Sequence, residues 1–279
     1  MEKSSYWYSL KGGYSLQGTN NINILMIPDF ALTAISLMPM AQYLNRLGYS
    51  VQVITLAGHE AMQADSLLAS DAKTWVSKAR QSYQALLEKG DPVYLVGVGL
   101  GAAIASVIGS LDRPSGLFLI NPLFRLNPKM GKPGLFRKNK LIPLERPILP
   151  NRLDSYLFGC KDYYLNSLKQ VQAAGKLAFK AEKELLCQIF FVTSRKDSWA
   201  DNKAVASFIK KLGPFASFDQ KEFQDADHLI YLGSDSQTLT EMVDRFIERC
   251  EQRASGIAND DAVVATAGGL FDNLGNENR

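Results

Sequence analysis

The sequence predicts an α/β fold built on a mostly parallel, doubly wound sheet of about eight strands. Three observations carry this. Apolar runs such as "INILMI" (22–27) and "GLFLINP" (116–122) alternate with amphipathic stretches long enough for helices. The runs are apolar at successive positions, as expected of strands covered on both faces. In "VYLVGVGLGAA" (93–103) a strand pattern passes directly into a helix of small residues.

The elements follow in order. "YWYSL" and "YSLQG" around a Gly-Gly pair read as an N-terminal hairpin at an antiparallel edge. After the strand at 22–27, "AISLMPMAQYLNRLGY" reads as a helix stopped by Gly48, whose freedom at positive φ suits a helix end. "VQVIT" (51–55) is the next strand. The helix that follows is capped by Ser70 or Asp71 and carries an apolar stripe of Trp75, Ala79, Tyr83 and Leu86 or Leu87. Strands are predicted at 92–99, 116–122, 188–194 and 216–224, and helices at 100–111, 201–212 and 236–251. Residues 1–122 and 187–252 then form the core. Residues 123–186 are too long for a simple crossover and read as an inserted helical cap or lid. Residues 253–279 are Gly- and Asn-rich and read as a flexible tail, within which "GGLFDNL" is a short apolar island.

Length and composition, 279 residues with 46% hydrophobic and 21% charged, suit one large domain or two small ones. A net charge of +3 makes no case for nucleic acid. The three cysteines (Cys160, Cys187, Cys250) are widely spaced, which suggests neither a zinc ribbon nor a disulfide framework. "MEKSSYWYSL" has no apolar signal region, and the apolar zone "ILMIPDFALTAISLMPMA" is broken by Pro28, Asp29 and Pro39. A cytoplasmic protein without a transmembrane segment is the expectation. Two distant histidines and no clustered carboxylates offer no metal site, and no cofactor is expected.

Chemistry concentrates at a few positions. Gly99 sits at the centre of "VGVGLGAA", where strand meets helix. "FFVTSRKDSW" places Asp197 just past a strand, and "FQDADHLIY" places His228 in the loop after the next. A dinucleotide reading of Gly97, Gly99 and Ala102 fails, because the next strand does not end in an acidic residue. With "ILMIPDF" and "TLAGHE" (55–60), these stretches resemble the α/β-hydrolases over about residues 1–250, in particular the small bacterial carboxylesterases and monoacylglycerol lipases. The resemblance implies a nucleophile elbow at 99, an acid at Asp197 and a base at His228. It also implies an oxyanion hole made by the backbone N–H groups of Phe30 and Leu100.

The chain departs from that pattern twice. Gly99 stands where the family has serine, and Pro28 and Asp29 stand where it has His-Gly. Glycine suits the strained elbow but abolishes the attacking atom. A carboxylate at Asp29 beside the hole would repel a developing oxyanion. The expectation is a non-hydrolytic member that binds a small acyl or hydrophobic ligand or a protein partner. The alternatives are an enzyme using a His228–Asp197 dyad as general base without an acyl-enzyme, or an inactivated carboxylesterase. His59 is expected to be structural. Arg125, Lys129, Lys132, Arg137, Lys138, Lys140 and Arg146 form a basic run in the cap that suits an anionic surface or partner, while sparse aromatics argue against nucleic acid.

Overall fold

The computed structural model describes residues 9–130, 140–144 and 149–256, with no side chains given for 150–152. Its elements run β1 (Gly13–Leu16), β2 (Asn23–Ile27), α1 (Met38–Arg46), β3 (Ser50–Ile54), α2 (Ala64–Ala69), α3 (Ala72–Leu87), β4 (Val93–Val98), α4 (Leu100–Asp112) and β5 (Gly116–Ile120). They continue with β6 (Leu141–Pro143), β7 (Asp162–Tyr164), α5 (Leu168–Ala181), β8 (Gln188–Ser194), α6 (Asn202–Ile209), β9 (Ser217–Phe223) and α7 (Ser236–Ala254). Among the described residues the main sheet has seven strands in the order β1-β3-β2-β4-β5-β8-β9. All of its pairings are parallel except β1 with β3.

Both faces of the sheet are covered, which is why its central strands are apolar throughout. Leu25, Ile27, Leu95, Leu117, Leu119 and Phe191 pack beneath α3, α4, α5 and α6. Their neighbours Ile24, Met26, Val96, Phe118, Ile120 and Phe190 face the other way, against α1 and α7. Local signals hold. Gly48 ends α1 at φ +101°. Asp71 caps α3 by accepting from Thr74 N at 2.7 Å. Trp75, Ala79, Tyr83 and Leu86 are buried, whereas Leu87 is exposed.

Three expectations are corrected. The N-terminal hairpin does not form among the described residues: Ser9 and Leu10 are helical, and β1 pairs with β3, Gly13 facing Ile54. Gly13 sits at φ +132°, where a Cβ would come within 2.9 Å of Val53 O. Seven strands among the described residues match the expected sheet of about eight. The described part of the insertion is not purely helical. Among its described residues it contributes the antiparallel pair β6–β7, several 3-10 turns and one long helix, α5, which joins the layer over the sheet. Helix α7 runs to Ala254, two residues into the expected tail. Residues 257–279, with the apolar island, lie outside the described residues. Among the described residues no helix is long and apolar enough to cross a membrane.

Candidate functional site

The site forms where β2, β4, β8 and β9 end. Gly99 caps α4 at φ +55° and ψ −113°, backbone that favours glycine. Its carbonyl accepts from Leu123 N at 3.0 Å and its N–H donates to Ile120 O at 2.9 Å, so the turn is held from both sides. Gly97 and Gly101 permit the close crossing of strand, loop and helix. A Cβ on Gly97 would press into Ala102, and one on Gly101 into the carbonyls of Ile27 and Pro28. The loop after β2 is strapped to the insertion. Cys160 N donates to Ala31 O (2.8 Å), and Thr33 N donates to Phe158 O (2.9 Å). Ala31 sits at φ +63°, strain that this strapping holds in place.

The structure brings together Asp29, Phe30, Gly99, Leu100, Asp197 and His228. The N–H groups of Phe30 and Leu100 do converge, and what they converge on is Asp29. Oδ1 of Asp29 accepts from Phe30 N at 2.7 Å and from Leu100 N at 2.8 Å. The carboxylate therefore lies in the cradle that was expected to stand beside it. Its place depends on Gly99, because a Cβ there would overlap the Asp29 carboxylate.

From Oδ1 the network runs outward in one line. Asp29 Oδ2 pairs with His228 Nε2 at 2.7 Å. His228 Nδ1 pairs with Asp197 Oδ2 at 2.8 Å. Asp197 Oδ1 accepts from Trp199 N and Ala200 N, each at 2.7 Å. All three side chains are buried. Burial alone disfavours an imidazolium. The charges of Asp197 and Asp29, and the hydrogen bonds to them, outweigh burial and hold the His228 pKa well above the usual histidine value. The resting site is thus a carboxylate–imidazolium–carboxylate row.

Sequence reasoning missed two supporting residues. Trp199 stacks on His228 with ring centroids 5.8 Å apart and planes at 16°. Asn121, at φ +45°, donates from Nδ2 to Ser194 Oγ, Asp227 O and His228 O, which ties the end of β5 to the histidine loop. The signals were present: a tryptophan two residues past the acid in "DSW", and an asparagine ending the strand in "INP".

A small pocket of about 40 Å³ adjoins the row. Asp29 and His228 form its polar end, and Phe30, Leu32, Leu157, Trp199 and Leu229 supply apolar wall. His59 lies elsewhere. It is fully buried against Phe30 and Trp75, and its Nδ1 lies 3.1 Å from Ala57 O. Among the described residues no cluster of His, Cys, Asp or Glu could hold a metal ion. In the basic run, Arg125, Lys129 and Lys140 are exposed, and Arg125 lies 3.6 Å from Asp201. Lys132, Arg137, Lys138 and Arg146 fall outside the described residues.

No family model matches the sequence, and no curated protein matches it. Solved structures do. A structure from work on the metagenome-derived lipolytic enzymes LipS and LipT superposes with a TM-score of 0.76 at 17% identity, over 86% of this chain and 98% of that one. The monoacylglycerol lipase of Paleococcus ferrophilus matches at 0.68 and 12%, over 85% and 98%. A soluble variant of the monoglyceride lipase of Saccharomyces cerevisiae matches at 0.68 and 16%, over 85% and 91%.

The chain has the α/β-hydrolase fold.

Residue 99 lies at the strand-to-helix turn between β4 and α4. This α/β-hydrolase-fold chain has no side chain there, and a carboxylate reaches in from the neighbouring strand end.

Proposed function

We propose that this protein lacks serine-hydrolase activity and that its site holds a small, mainly apolar molecule against the Asp29–His228 pair. One observation carries the reading: Asp29 Oδ1 takes both N–H groups that an ester's oxyanion would need. Two further facts support it. Residue 99 has no attacking atom, and loss of such a nucleophile costs on the order of 10⁶ in turnover in a serine protease. His228 Nε2 is already bound to Asp29, so no free base faces a water or a hydroxyl.

The alternative, His228 with Asp197 as general base, needs a neutral imidazole in the resting site. Two flanking carboxylates oppose that. The lipolytic neighbours and the apolar pocket wall favour a hydrophobic ligand. Of the basic run, only Arg125, Lys129 and Lys140 are described, and the reading places no weight on it.

The test is turnover of p-nitrophenyl acetate and butyrate, together with fluorophosphonate labelling, on the native protein. Neither ester hydrolysis above buffer nor labelling is expected. Hydrolysis that His228→Gln abolishes would refute the reading.

A further inference from the structure

Donors and acceptors are unequally left over in the pocket beside the row. Its apolar wall is Phe30, Leu32, Leu144, Leu157, Trp199 and Leu229. The backbone N–H group of each is engaged within the protein. Those of Phe30, Trp199 and Leu229 donate to the carboxylates of Asp29, Asp197 and Asp227. Those of Leu32, Leu144 and Leu157 donate to the carbonyls of Asp29, Lys161 and Asp154. At the polar end both ring nitrogens of His228 are engaged too, Nδ1 with Asp197 and Nε2 with Asp29. What remains there is an acceptor. An ionised carboxylate has about four lone-pair sites. Asp29 fills two on Oδ1 and one on Oδ2, which leaves one open on Oδ2.

We propose that this pocket takes a short primary alkylammonium ion, a choice of ligand that rests on the reading above that a small molecule sits against the Asp29–His228 pair. The charged nitrogen donates to the open site on Asp29 Oδ2, and the alkyl chain lies on the apolar wall.

Charge selects the cation. Asp29 and Asp197 carry two negative charges and the His228 imidazolium one positive, so the buried row keeps a net charge of −1. Backbone amides hold the outer carboxylate oxygens, but they are dipoles and leave that net charge in place. A buried charge is costly without a counter-ion. No lysine or arginine lines the pocket among the described residues. An ammonium head supplies the missing charge, and its N–H···O bond is about twice as strong as a neutral one. An alcohol makes the same bond without the charge. A carboxylic acid arrives as an anion and meets like charge, and an ester carbonyl finds the donors at the polar end taken. The wall's one side-chain N–H, Trp199 Nε1, belongs to a neutral ring and brings an anion no countercharge.

Size limits the chain. At about 10–15 Å³ for each water-sized group, a space of about 40 Å³ holds roughly three or four non-hydrogen atoms. Ethylammonium and propylammonium meet that limit.

The experiment uses the native full chain, isotope-labelled at its histidine rings and observed by NMR. The chain has two histidines, one neutral and one charged, so the ring signals of His228 stand apart from those of His59. Propylammonium chloride, 1-propanol and sodium propionate are titrated in turn at neutral pH and fixed ionic strength. Propylammonium should move the His228 signals to saturation, 1-propanol should bind at least about tenfold more weakly, and propionate should not bind. Asp29→Asn brings the row to zero net charge and should weaken the amine at least about tenfold. His228 signals that ignore the amine would overturn the proposal. So would 1-propanol or propionate binding as tightly as the amine, or an unchanged amine affinity in a folded Asp29→Asn variant. Because the ranking of the three probes is read on native protein, the test survives a variant that fails to fold. Binding of 1-propanol with no preference for the amine would end this proposal and leave the reading above standing; ester turnover by the native protein would instead overturn that reading.

Discussion

The chain has two histidines, and both are buried, yet their surroundings leave one neutral and the other charged. His59 lies among aromatic rings, 5.8 Å from Phe30 and 5.5 Å from Trp75, with Nε2 unpartnered. Burial pushes its pKa down to about 4, so it is neutral. His228 is as deeply placed, but a carboxylate meets each ring nitrogen and it stays protonated. Burial pulls both rings the same way. The paired charges decide the outcome at His228, and their absence decides it at His59. The contrast locates the chemistry: the charged row lies on the pocket, and the neutral ring fills core beside it.

The sharpest way to break this comparison is to remove the cation. His228→Gln leaves Asp29 and Asp197 buried without compensation and should cost about 3–5 kcal/mol in urea unfolding. A loss under about 1 kcal/mol would mean that the row is not an ion pair.

Next comes acid. The folded-state pKa of His59 lies below its unfolded value, so the unfolded chain binds the extra proton first. Stability should fall by about 3 kcal/mol as pH drops from 6.5 toward 4. His59→Phe should remove that loss. A native stability that is flat over this range would contradict a neutral, desolvated His59.

Alkali probes the other histidine, with the opposite sign. The His228 pKa is raised, so its contribution is fully present below the unfolded value of 6.5 and is lost as pH rises toward the folded value. The unfolding free energy should fall above pH 6.5 with a slope approaching about 1.4 kcal/mol per pH unit, and His228→Gln should lack that component. The smallest effect is expected from His59→Phe at neutral pH. The ring still packs on Phe30 and Trp75 and an unpartnered nitrogen is lost, so the change should stay within about 1 kcal/mol.

The legible and illegible parts of this molecule separate on physical grounds. Strands β2, β4, β5 and β8 could be read because they are buried on both faces and apolar throughout. The partner of β1 could not, since it lies some forty residues away in β3 and the Gly-Gly pair imitates a hairpin turn. Helix α5 reads as part of a cap because nothing in "LKQVQAAGKLAFKA" states which surface its apolar stripe meets. At the site, Gly99, Asp29, Phe30, Leu100, Asp197 and His228 were legible through the resemblance to the α/β-hydrolases. Their relation was not. Whether Asp29 stands beside the cradle or inside it depends on a rotamer and on the missing Cβ at 99. The two departures from the hydrolase pattern, which looked independent in sequence, are complementary in space: the glycine clears the volume that the carboxylate fills.

The measurement that tests this most directly is fluorophosphonate labelling of Gly99→Ser beside Gly99→Ser/Asp29→Gly. With Asp29 in the cradle, a serine at 99 lacks room, N–H donors and a base, and the single variant should stay unlabelled. Removing the carboxylate restores all three, so the double variant should label at residue 99, and His228→Gln added to it should stop the reaction. A single variant that labels as fast as the double would show that Asp29 does not occupy the oxyanion site, and the account would fail at its centre.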